Sequence, residues 1–133
     1  MALLDEIATR LGTIGALSTY TITKGHRPDA PDKTVTVYET GGAPAELGFG
    51  TPGIQFEHPA IAVHVRGAAD DYEGPRTAIQ AVYLDLPKVQ AVSLSGTPYH
   101  TIIPIQAPFL LERDEQRRVV LVVNFNVEKE PSP

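Results

Sequence analysis

Apolar side chains at the start of the chain fall at three- and four-residue spacing: Leu4, Ile7, Ala8, Leu11 and Ile14. That period draws one stripe along a helix over residues 2–15. Asp5 and Glu6 stand in its first turn, where negative charge suits the helix dipole, and Gly12 or Gly15 ends it. The period then changes. A short extended piece, Tyr20 to Thr23, leads into a turn-rich loop from Gly25 to Asp32, and Thr34–Glu39 is β-branched and aromatic, the composition of a strand. Residues 41–59 are rich in Gly and Pro and lose all periodicity. So long an irregular stretch in a small domain is functional more often than idle, so it is the first candidate for a partner-binding arm.

Strict alternation returns at residues 60–66, with Ile61, Val63 and Val65 on one face and Ala62, His64 and Arg66 on the other. Asp70 or Asp71 then caps a second helix, Asp71 to Leu86, stopped by Pro87. Two strands near 89–95 and 99–106 flank the turn Ser95-Gly96-Thr97-Pro98, and Pro104 points to a sheet edge. The strongest strand is Arg118 to Val127. Val119, Leu121, Val123, Phe125 and Val127 share one face, while the other carries Val120 and Val122, then Asn124 and Asn126. Its first half is therefore expected to be covered on both sides. Such a strand would span roughly 33 Å, against a usual 17–20 Å. The pattern predicts an α+β fold, a mostly antiparallel sheet of four to five strands with two helices packed on one face. One domain over residues 1–128 and a disordered tail over 129–133 complete the expectation.

Composition narrows the function. The chain has 133 residues, 42% hydrophobic and 20% charged, enough to bury a core without metal or crosslink. It has no cysteine, which removes disulfides, thiolate chemistry and Cys-based zinc sites and suits synthesis in a reducing cytoplasm. A net charge of −5 argues against tight binding of duplex nucleic acid, though not against a wall past which DNA slides. No apolar run approaches the ~20 residues of a membrane span. The opening MALLDEIATR has neither the basic lead nor the cleavage site of a signal peptide.

Candidate chemistry is sparse. His26, His58, His64 and His100 show no metal-ligand spacing, and no metal or cofactor is expected. Ser95-Gly96 is turn chemistry rather than a nucleophile elbow, and Gly48-Phe49-Gly50 lacks the lysine of a phosphate loop. No enzyme class follows. Charged residues offer a different candidate. Glu112, Arg113, Asp114, Arg117 and Arg118 form a mixed-charge run that reads either as a solvated hairpin turn or as a contact patch between subunits. Arg66 with Asp70 and Asp71 divides the same way, between a local ion pair and an interface.

The pieces also stand in a familiar order. Pro28-Asp29 leads to Val35-Thr-Val-Tyr-Glu39 and Thr40-Gly41-Gly42; Val63-His-Val-Arg66-Gly67 precedes Asp71-Tyr72; the second helix closes at Tyr83 to Leu86. Pro108, then Asp114 to Arg118, then Asn124-Phe125-Asn126-Val127 complete the series. Over residues 1–128 this order resembles the phage tail-terminator family, also described as minor capsid proteins of the neck. Gly74-Pro75 inside the second helix departs from the pattern. The resemblance implies a structural virion protein, made in the host cytoplasm, that forms a ring, typically of six copies. The ring seats on the tail tube protein, stops tube growth, faces a head-side connector and lets DNA through its lumen without specific binding. No membrane or cofactor is implied. Two rival readings are a head-completion or stopper protein of the neck, and a small ligand-binding α+β module, which would need a pocket of convergent polar groups.

Overall fold

A computed structural model describes residues 2–48, 50 and 53–132. In chain order the elements are α1 (Leu3–Leu11), β1 (Thr21–Lys24), β2 (Thr34–Leu47), β3 (Ile54–Ala69), α2 (Glu73–Asp85), β4 (Gln90–Leu94), β5 (Thr97–Pro104), β6 (Phe109–Arg113) and β7 (Arg118–Lys129). Short 3-10 turns follow each helix, at Gly15–Leu17 and Leu86–Lys88. The α+β class and the two helices agree with the sequence pattern. The sheet does not. It has seven strands in the order β1-β2-β3-β7-β5-β4, with β6 also paired to β7, and it is mixed because β1 runs parallel to β2.

Two added strands and one lengthened hairpin account for the difference. β1 is a four-residue edge, too short to carry a period. β6 is five residues whose alternation is masked by Leu110 and Leu111 in succession. The third change is larger: the stretch 41–59, expected to be irregular, continues β2 and β3 as one hairpin, with Ala43 opposite His58, Glu46 opposite Phe56 and Leu47 opposite Ile54. Positions 49, 51 and 52 of that stretch lie outside the described residues. Bulges after Glu39, Ala43 and Glu46 erase the two-residue period without ending the ladder. Gly42 is obligatory there, because a Cβ would lie 2.1 Å from the His58 carbonyl oxygen.

The core lies between the sheet and the helices. Ile7 and Leu11 of α1 and Ala78, Ile79 and Val82 of α2 pack on Val35, Val37, Ile61, Val63, Val65, Leu121, Val123 and Phe125. Arg10 in the last turn of α1 pairs with Asp85 at the end of α2, at 3.0 Å. The acid that caps α2 is Asp71, whose Oδ1 accepts the Gly74 N–H at 3.0 Å, and Pro75 sits buried in the first turn without breaking it. β7 behaves as its pattern predicts: Val120 and Val122 are buried on the face away from the helices, whereas Asn126 is exposed. It runs two residues further than expected, to Lys129. Just beyond it the Ser132 hydroxyl donates to Glu6 of α1 at 3.1 Å. Glu6 is itself buried and also accepts from the hydroxyls of Tyr99, at 2.8 Å, and Thr97.

β5 and β6 form one interrupted strand along the same edge of β7. β5 pairs with the C-terminal half, Phe125 to Lys129, and β6 with Val119 to Val122. At the break the Gln106 side chain takes over the ladder, its Oε1 accepting the Asn124 N–H at 3.1 Å. Backbone polar groups that would otherwise be orphaned are thus satisfied, and the strand can turn outward.

Candidate assembly surface

Two arginines anchor the face of the sheet away from the helices. Arg66 alternates outward from β3, and its guanidinium donates to the backbone carbonyls of Asp32 at 2.9 Å, Pro31 at 2.7 Å and Asp29 at 3.4 Å. It therefore holds the Gly25–Lys33 segment rather than Asp70 or Asp71. Arg118 joins it from β7, donating to the Asp29 carbonyl at 2.7 Å and ion-pairing with Asp29 and Asp32, both at 3.0 Å, and with Asp114 at 2.8 Å. Both arginines are buried. The planar fork suits this work, since it meets several oxygens at fixed angles.

Asp114 shapes the β6–β7 turn. Its Oδ1 accepts the N–H groups of Gln116 and Arg118, and Arg117 takes the left-handed conformation at φ 62°. A type I turn closed by a left-handed residue has this geometry. Burial alone would push the Asp114 carboxyl up, but the bonds from Arg118 outweigh it and hold the group below its usual range. His64, beside Tyr38 with ring centroids 4.7 Å apart, is lowered by burial and then by Arg27, against Glu112.

The charged residues singled out by sequence thus divide by position. Arg66, Asp114 and Arg118 meet at one end of the sheet and serve the fold's internal bonding, and Asp71 caps α2. Asp70, Glu112, Arg113 and Arg117 remain exposed at the same end. Asp70 pairs with Arg117 at 3.2 Å and Glu112 with Arg27 at 2.9 Å, while Arg113 has no ionic partner among the described residues.

What the charge pattern did not reveal is apolar. Ile105, Phe109, Leu110 and Leu111 are each 43–54% exposed along the β5–β6 edge. Among the described residues β6 pairs only with β7, so its outer backbone edge is open there as well. An apolar strand with an open edge is a surface that proteins ordinarily cover. The signal was present in the sequence as Ile103 and Ile105 flanking Pro104 and as the run Phe109-Leu110-Leu111, apolar residues that the core does not use. The β2–β3 hairpin is the second such feature. From Glu39 to Leu47 every residue of β2 is exposed, and Leu47 at the tip is 74% exposed opposite a half-exposed Ile54.

Enzymatic features are weaker. One groove of about 400 Å³ is bordered by Glu39, Glu57, Lys129 and Ser132, but Lys129 already donates to the Ser132 hydroxyl at 3.2 Å and lies 3.8 Å from Glu57. Among the described residues no group of three or more His, Asp or Glu side chains is placed to hold a metal ion. Nor, among the described residues, is any helix long and apolar enough to cross a membrane.

Small α+β subunits that leave sheet edges and a hairpin open are built to meet other chains, and that is the class these features define. The chain matches the family described as bacteriophage tail terminator protein over residues 8–131, and it belongs to that family. A solved chain from the virion of a native gene transfer agent particle aligns over 98% of this chain and 87% of its own, with a TM-score of 0.54 and 14% identity, a likeness of fold. Another solved chain aligns over 97% of this one and 96% of its own at a TM-score of 0.48 and 14% identity. No curated protein matches the sequence.

Proposed function

We propose that the protein is the terminator ring of a phage tail, typically six copies seated on the end of the tail tube. The family match over residues 8–131 carries this reading. In it, one face of the ring meets the last layer of tube protein and halts its polymerisation. The opposite face receives the head-side connector, and DNA passes through the lumen without specific contact. The protein acts by presenting surfaces, in the virion's tail or neck, and needs no cofactor. The exposed charges Asp70, Glu112, Arg113 and Arg117 lie where they can set register against a neighbour or the tube, while the buried Arg66 and Arg118 with the half-buried Asp114 shape that surface from beneath, and Asp71 fixes the adjoining helix.

The test is a growth assay. Purified protein added to polymerising tube subunits should cap them at a fixed length under electron microscopy. Tubes that elongate equally with and without it exclude the terminator role. Capture by the portal or connector without tube capping would favour a head-completion protein instead.

A further inference from the structure

The tip of the β2–β3 hairpin and the β6 edge lie at opposite corners of the sheet. The hairpin leaves the sheet beyond the Glu57–Lys129 pair, at the C-terminal end of β7 and on the β3 side. β6 lies on the other side of β7, along Val119 to Val122. The seven residues from Val122 to Lys129 separate the two by roughly 23 Å along the strand, at 3.3 Å per residue, before the width of the sheet is added. A hairpin directed away from β6 cannot fold back onto it. Each molecule therefore carries a projecting apolar tip and an open apolar edge that it cannot bring together itself.

We propose that in the ring the hairpin tip of one copy docks on the β5–β6 edge of the next, with Leu47 and Ile54 packing on Ile105, Leu110 and Leu111. Such docking presupposes that the protein forms the terminator ring. Two observations favour a second copy as the occupant. The knob and the edge occur once each per chain, so head-to-tail docking uses both and leaves neither open once the ring closes. The tip pair Leu47 and Ile54 is directly cross-strand and gives one apolar knob, matched to an apolar strand of similar length. A standard interface hides about 800 Å² on each partner. Four half-exposed apolar residues and a strand edge, with the ribbon laid over them, are features of that scale.

The absence of native cysteine makes the contact directly testable. Chains carrying Leu47→Cys with either Leu110→Cys or Leu111→Cys should give disulfide-linked multimers on mild oxidation. Their yield should be several-fold above that of Leu47→Cys combined with Val92→Cys, an equally exposed position on β4. Yields no higher than this control overturn the proposal. So would efficient dimers from Leu111→Cys alone, which would show two β6 edges pairing with each other. Crosslinking needs no tube and capping needs no cysteine, so the two readings fail separately. Capped tubes without enrichment leave the ring with a different seam, whereas enrichment without capping leaves the seam and removes the terminator role.

Discussion

Arg118 shows how far a single side chain can reach in a small domain. Its guanidinium holds the Asp114 turn and the Asp29–Asp32 stretch of the preceding loop at once, and Arg66 grips the same loop from the next strand. Hydrogen bonds to a charged group contribute about 1.5–3 kcal/mol each in favourable settings, but Asp29 and Asp32 are more than half exposed, so the total is screened. Arg118→Met should cost about 2–3 kcal/mol, read as a lower urea midpoint with an unchanged slope. Arg118→Lys should recover less than half of it, because an ammonium cannot reach two acceptors along a plane. Tryptic cleavage after Lys33 should rise in both variants if the loop is what the arginine restrains. A midpoint shift without faster cleavage would place the loss in the turn alone. The charged run was conspicuous in the sequence, yet its spacing could not say which member points inward. Arg117 closes the turn in a left-handed conformation and stays exposed, whereas Arg118 opens the ladder and turns inward.

At the scale of elements, legibility followed burial. β7 and the inner half of β3 were readable because both faces are constrained: alternation marks the helix-side face, and Val120 and Val122 mark the second covering layer. The outer half of β3 and all of β2 beyond Tyr38 carry no such pattern, since exposed ribbon imposes no choice between apolar and polar side chains. Only turn chemistry and bulges leave a trace there, and these look like loop. β6 was hidden for the converse reason, being apolar without being core. The site was half legible. Its exposed charges stood out, while its apolar edge showed only as runs without a period. A ribbon that owes little to the core can be removed at little cost. Replacing Leu47–Gln55 by an Asn-Gly turn, with Glu46 still opposite Phe56 and the Glu57–Lys129 pair kept, should change the stability of the monomer by less than about 1 kcal/mol. Capping of tubes should be lost in the same variant. A large fall in thermal stability would show that the hairpin supports the core, and intact capping would show that it is not an assembly element.

The whole molecule carries a net charge of −5, and the distribution of its cations matters more than the total. Six of the eleven Lys and Arg residues, Arg10, Lys24, Arg27, Arg117, Arg118 and Lys129, sit within ion-pair distance of carboxylates. Arg66 is buried against carbonyls, and Lys33 lies over the Tyr20 ring at 4.7 Å. That leaves Arg76 and Lys88 near α2 and Arg113 at the end of β6, too few and too scattered to neutralise neighbouring phosphates. Duplex binding draws its affinity from releasing counterions over several clustered contacts, and proteins that make them reach dissociation constants of about 10⁻⁴–10⁻⁶ M at physiological salt. A labelled duplex should therefore show no change in fluorescence anisotropy up to about 100 μM protein at 0.15 M salt. The proposed ring would bring scattered cations from several copies onto one wall, so the titration belongs on crosslinked multimers as well as on the free subunit. Low-micromolar binding by the ring with a steep salt dependence would mean that the lumen grips DNA. The acidic balance of the subunit would then be confined to its outer faces, away from the passage.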